Sequence, residues 1–583
     1  MRKIRLVLSG IVVLAALSVE ALPSISLDGL WEFRFEEGKT LEDLALPVFK
    51  ADDKIVVPGA WDAMSHYYNK RGTGCYRRIF VLERDVVNAF VVVDGTCLRS
   101  KYWIDGREIG FSKLPWSRFE FPTGPLKAGR HEIVAGIDSV MDEDKVKLFR
   151  DFYDFYASGG FHHGVRLELQ HSPVELRRVV VRTRDYRTGL IELEAFYTAD
   201  GPSNFMASVS FDDADVSPVP FCDRRARLKV PGFRLWSPST PNLHTVRLSA
   251  NGSQVETRFG IRQVSTANGR ILLNGEPIYL KGVNRHESHY EFGYTTPVQL
   301  MYEDIRNLKD MGGNFIRGSH YAQCERFLDL CDDMGVLVWE ESLGWGNYER
   351  QFADDEFCSL QEAQTRLMVR NSINHPCVII SAFMNEPQSW LPSCRNLVDR
   401  LIDTIRAEDT GHLVTFAVHV PLKDISHVRT DLIAYNAYPC WYSHEMTCGT
   451  SEEMRRNIRL CHEEIIRHFR ETYHDDRPII VSESGVKADY GIHDPRGRVQ
   501  YSEDFQAEYT RIMLEELFAM RDIAGVAIWQ FADCKTLTRT SGLRNRSYGV
   551  NTGGLYDLYR RPKMAVDVVR KLFTALPAES QNR

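Results

Sequence analysis

The chain has 583 residues, too many for one core, and its 43% hydrophobic and 26% charged residues are the composition of an ordinary soluble globular protein. A net charge of -7 is small for this length, and no basic block accompanies it. That balance argues against nucleic acid or an anionic membrane surface as a partner.

At the N-terminus, Arg2, Lys3 and Arg5 precede the apolar run LVLSGIVVLAAL, followed by the small residues Val19 and Ala21. The run is too short to span a bilayer comfortably and is expected to be a signal peptide over residues 1–21, cleaved after Ala21. Export to the periplasm, the cell surface or the medium follows, and no later segment is apolar for long enough to span. Residues 22–172 hold short alternating runs punctuated by turns (GLWEFRF, FVVVDG, SKYWIDGREIGFS, GRHEIVAGID, GVRLELQ), the pattern of an antiparallel β-sandwich. Residues 173–263 repeat it at the size of an immunoglobulin-like sandwich.

From residue 264 to 583 apolar strands alternate with helical patterns such as PVQLMYEDIRNLKDMG and EEMRRNIRLCHEEIIRHFRETYH. The expected strands are IYLKGVNRH, NFIRGSHY, VLVWEES, CVIISAFMNEP, LVTFAVH, LIAYNAYP, PIIVSESG and GVAIWQFAD. Their number and spacing match a (β/α)8 barrel. The fold class is therefore multidomain, all-β followed by α/β. Most of these strands begin apolar and finish polar, and closing a barrel brings such ends to one mouth.

Glu386 closes the fourth strand and Glu483 the seventh. Two carboxylic acids across a sugar are the recurrent machinery of glycoside hydrolysis, one protonated to assist the leaving oxygen and one ionised. The residues alone leave open which is which. Asn385 is placed to orient a hydroxyl, and Tyr438, Trp441 and Trp529 to offer a platform for a sugar face. The twelve cysteines sit singly, with no CxxC pair or Cys/His cluster that suggests zinc. Buried thiols with a disulfide or two are expected, and spacing does not pair them.

The chain resembles family 2 glycoside hydrolases, the group of β-galactosidases, β-glucuronidases and β-mannosidases, in their three-domain form. The resemblance covers essentially all of residues 22–583. It rests on LDGLWEFRF, DFYASGGFHHGVRLEL, LNGEPIYLKGVNRHE, GGNFIRGSHY, MNEP, NAYPCWY, VSESG and WQFAD, in family order. It implies a jelly-roll fold for the first sandwich, Glu386 as acid/base and Glu483 as nucleophile. It further implies that Asn385 meets the sugar 2-hydroxyl, that Tyr438 lies beside the nucleophile, and that Arg317, His320, His286 and Trp529 line the pocket. Asp154, from the first sandwich, is implied to reach the barrel mouth and hold an outer hydroxyl.

Departures from the family pattern bear on the sugar. β-Glucuronidases carry an Asn-x-Lys motif that grips a carboxylate; here Asn551 remains but Gly553 stands at the lysine position. A neutral sugar, most simply galactose, is therefore the leading expectation for a secreted retaining exo-β-glycosidase. The alternatives are a glucuronide or galacturonide substrate, with Arg539, Arg544 or Arg546 replacing the lysine, and a catalytically silent carbohydrate-binding protein. WEESLGWG lacks the Glu-x-His pair that holds magnesium in large β-galactosidases, so neither metal nor other cofactor is expected. Oligomeric state is left open, a homo-oligomer included.

Overall fold

The computed structural model describes residues 22–149, 154–212, 214–408, 411–442, 448–536, 546 and 549–576, so the expected leader lies outside the described residues. In Gly29–Glu37, Trp31 and Phe33 are buried while Leu30 and Glu32 face out, the two-residue period of a strand covered on one face. That strand belongs to a six-stranded antiparallel sheet, ordered 53–57, 29–37, 72–82, 129–138, 99–104 and 107–112. A four-stranded sheet (24–26, 165–170, 88–93 and 119–122) completes the first sandwich. Residues 176–259 form the second, with a separate core around Val179, Ile191, Val209, Phe221 and Leu248. The first sandwich and the barrel, by contrast, share one continuous core.

The barrel is closed and parallel. Its strands are Leu280–Arg285 (β1), Phe315–Gly318 (β2), Leu337–Trp345 (β3), Val378–Asn385 (β4), Leu413–Val418 (β5), Ile433–Asn436 (β6), Ile479–Ser484 (β7) and Ile523–Ile528 (β8). Pairing of β1 with β8, from Leu280 against Gly525, shuts the ring. Every residue of β4 is buried, as a strand packed on both faces requires.

Outer helices cover it: Val298–Asp310 (α1), Glu325–Met334 (α2), Asp355–Ser372 (α3), Pro392–Glu408 (α4), Ser451–Tyr473 (α5), Glu503–Ala519 (α6) and Ala565–Ala575 (α7). In α5 the buried face runs Met454, Ile458, His462, Ile465 and Phe469, the three-to-four spacing of an amphipathic helix. Its start is fixed by a capping box, in which Thr450 Oγ accepts from the Glu453 amide and the Glu453 carboxylate from the Thr450 amide, both at 3.1 Å. Between β5 and β6 the chain crosses on two 3-10 turns, Pro421–Lys423 and His427–Arg429. Among the described residues, no helix is long and apolar enough to cross a membrane. Cys440 and Cys448 form a disulfide with Cα atoms 5.8 Å apart; the remaining cysteines are free and mostly buried.

Candidate active site

β4 ends in a backbone reversal. Met384 and Glu386 adopt left-handed φ values of 51° and 56°, which cost a residue with a side chain on the order of 1–2 kcal/mol each. The neighbouring strands hold this shape: the Gly346 amide donates to the Asn385 carbonyl and the Glu386 amide to the Ala417 carbonyl, both at 2.8 Å. Pro387, lacking an N–H, cannot continue the ladder. Glu386 thus leaves the strand and lines the cavity at the mouth.

Glu483, near the end of β7, lines the same cavity. Arg317 Nη1 donates to its Oε1 and the Tyr438 hydroxyl to its Oε2, each at 2.6 Å. Arg317 is held in turn by Glu341 at 3.0 Å, Asn385 Oδ1 at 2.8 Å and Asn284 Oδ1 at 3.1 Å. It is fully buried and stands behind the carboxylate, which corrects the expectation that it lines the pocket. Facing the mouth instead, His320 stacks on Trp529, ring centroids 5.5 Å apart and planes 12° from parallel. Its Nδ1 lies 2.6 Å from Glu341 Oε1 and 3.4 Å from Arg317 Nη2. Burial lowers the His320 pKa to about 3, so the ring is neutral.

Burial raises both carboxyls. The Arg317 guanidinium, touching Glu483, opposes that rise together with the Tyr438 hydroxyl, whereas Glu386 has the neutral Asn436 amide at 2.8 Å. Arg317 lowers Glu386 as well, and the charge of Glu386 raises Glu483, so the two carboxyls titrate as a coupled pair. Asn385 accepts through Oδ1 from Arg317 and Asn436, while its buried Nδ2 has no partner among the described residues. His286 Nε2 is in the same state. Of the two, His286 lines the cavity, whereas Asn385 is fully buried and does not.

The cavity measures about 780 Å³, within the range of small-molecule sites. His286, His320, Tyr438 and Trp529 line it as expected. Trp441 does not: it packs on Tyr501 and Phe505, and Tyr442, one position on, takes the wall. Asp154 arrives from the first sandwich, but its carboxylate is clasped by Arg546, Nε to Oδ1 at 2.7 Å with a second bond from Nη2, and by Asn551 Nδ2 at 3.0 Å. Asn551 thus holds Asp154 and is no part of the wall. Arg539 and Arg544 lie outside the described residues. Phe155, Trp345, His419 and Tyr442 were not foreseen on the wall; Trp345 ends β3, and the other three come from loops, where no period marks an inward side chain.

Among the described residues, two side-chain groups have the chemistry of metal ligands, His163–Glu287–Cys324 and Asp329–Asp332–His375, and neither includes a residue of the cavity. Each already contains an ion pair, His163 with Glu287 at 3.3 Å and His375 with Asp332 at 2.6 Å.

Residues 264–577 match the family model "Glycosyl hydrolases family 2, TIM barrel domain". β-Glucuronidase of Mus musculus is 27% identical over 447 residues, a stretch that covers 73% of this chain and 66%, just under two thirds, of the mouse protein. β-Glucuronidase of Streptococcus agalactiae is 24% identical over 94% of this chain and 96% of its own. Among solved structures, a family 2 β-galacturonidase from Eisenbergiella tayi superposes with a TM-score of 0.85 at 25% identity, over 97% of this chain and 98% of that one. With the family model covering more than half of its length, the chain belongs to glycosyl hydrolase family 2.

Proposed function

We propose that this chain is a retaining exo-β-glycosidase that releases a terminal β-linked uronic acid, glucuronate or galacturonate. Glu386 protonates the glycosidic oxygen while Glu483 attacks the anomeric carbon, giving a covalent glycosyl-enzyme. Water, activated by Glu386 now acting as base, then displaces Glu483 with net retention. Arg317 and Tyr438 aim the nucleophile and keep it ionised until attack. Trp529 and His320, on the cavity wall, offer stacked faces to the ring.

The observation that carries the uronic-acid reading is Arg546, a guanidinium on the cavity wall beside Tyr442. It supplies the cation that glycine at position 553 does not. Asp154 engages Nε and one terminal nitrogen of this guanidinium, which also contacts Tyr442, and a sugar carboxylate held at this rim would sit beside its positive charge. The relatives named above are β-glucuronidases and a β-galacturonidase, which favours this reading over the neutral galactose expected from Gly553 alone. Nitrophenyl β-glucuronide, β-galacturonide, β-galactoside and β-mannoside, compared at equal concentration, test it. Uronide turnover at least tenfold above both neutral sugars is expected; preference for galactoside or mannoside overturns it.

A further inference from the structure

The loop that carries Asp154 to the rim is gripped by the barrel at two points. Beyond β8, Cys534–Lys535 pairs antiparallel with Val550–Asn551, Cys534 opposite Asn551 and Lys535 opposite Val550. Asn551 holds the Asp154 carboxylate. Lys535, on the facing strand, reaches Tyr156, two positions after Asp154: its Nζ stands 3.9 Å from the centroid of that buried ring and 4.7 Å from the centroid of Tyr68.

The Arg71 guanidinium lies 4.0 Å over the same Tyr156 ring. Two cations this close over one ring must take opposite faces, so Tyr156 is clamped between Arg71 of its own domain and Lys535 of the barrel. On the sandwich side the loop is tied further by Arg71, which donates to the Ala157 carbonyl, and by Asp62, which accepts from the Gly159 amide at 3.0 Å. We infer that Lys535 is a positioning residue for sugar selection: it fixes Tyr156 against the barrel and thereby sets where Asp154 meets Arg546. This rests on the uronic-acid reading above and adds a residue that touches no sugar.

Burial lowers the Lys535 pKa to about 8; Asp62 opposes that fall and Arg71 adds to it. Tyr68 and Tyr156 also face the ammonium, and burial raises both hydroxyls as well as the Asp62 carboxyl. The positive charge is therefore present below about pH 8 and lost above it. A neutral amine holds a ring face far less strongly, so the clamp slackens as pH rises.

The test uses the full chain and nitrophenyl β-glucuronide and β-galacturonide, with KM and kcat followed from about pH 6 to 9. Lys535→Met keeps the stem and removes the charge. A rise of about 3- to 30-fold in KM at neutral pH is expected, with kcat within about twofold of wild type. Lys535→Arg keeps a cation over the whole range, so its KM should match wild type at neutral pH. The ratio of wild-type KM to that of Lys535→Arg should then climb as pH passes the lysine's value. Tyr156→Leu should reproduce the effect of Lys535→Met, and the double variant should be no worse than either alone. If Lys535→Met does not fold, Lys535→Gln is measured in its place. An unchanged KM, a loss carried by kcat, or a flat ratio to Lys535→Arg in an enzyme that prefers uronides overturns this inference and leaves the uronic-acid reading standing. A wild-type enzyme that prefers galactoside or mannoside overturns both.

Discussion

At the floor of the cavity, Glu483 receives Arg317 and Tyr438, and Arg317 is itself held by Asn284, Glu341 and Asn385 from β1, β3 and β4. At the rim, Asp154 comes from the first sandwich and is met by Arg546 and Asn551, from the segment beyond β8. The floor is made of strand ends whose relative positions are set by parallel register, for example Asn284 opposite Arg317. The rim is made of loops that only tertiary docking brings together. In such a barrel the reaction is set by the first and the choice of sugar by the second, so chemistry can persist while the substrate changes.

The comparison predicts large, substrate-independent losses at the floor and smaller, sugar-dependent ones at the rim. Glu483→Gln should lower kcat on every substrate by on the order of 10⁴-fold or more, with an unchanged circular-dichroism melt. Residual turnover near wild type would remove the nucleophile from this position. Glu386→Gln should cost about 10²- to 10⁴-fold on glycosides with poor leaving groups and far less on nitrophenyl ones. Its pH profile sharpens the assignment. On the proposed mechanism Glu386 works protonated, and burial raises its pKa, so wild-type activity should fall as pH climbs through that value and the carboxyl loses its proton. The glutamine variant should lose this alkaline limb in the glycosylation step; persistence of the limb would assign it to another group.

At the rim, Asp154→Asn weakens the clasp on Arg546. A fall of about 10- to 100-fold in uronide kcat/KM is expected, through KM more than kcat. An equal loss in kcat on neutral and acidic sugars would blur the distinction between floor and rim. The smallest effect is expected at Trp441→Phe, which lies outside both regions: turnover within about twofold of wild type and a loss of about 1 kcal/mol in denaturant unfolding.

Much of the floor was legible before any coordinates. CVIISAFMNEP is uninterrupted by charge until Glu386, and only a strand packed on both faces tolerates that. Glu483 follows the same rule in β7. The rim was less legible, because loops have no period from which to read an inward side chain. Trp441 and Tyr442 are adjacent aromatics in one loop, and sequence offers no reason to prefer the second. The resemblance implies Arg317 as a pocket residue; that the guanidinium turns back towards Glu341 depends on a neighbouring strand's side chain. Asn551 was read as a sugar ligand, but its partner lies 397 positions away in another domain.

The clasp between Asp154 and Arg546 joins positions 392 apart in the chain. Synthesis delivers the first of them long before the second, so a finished sandwich waits through the making of the whole barrel before its aspartate finds a mate. On the uronic-acid proposal, selectivity is then the last property this protein acquires as it matures. A chain halted before residue 546 would carry both acids and an Asp154 without its guanidinium.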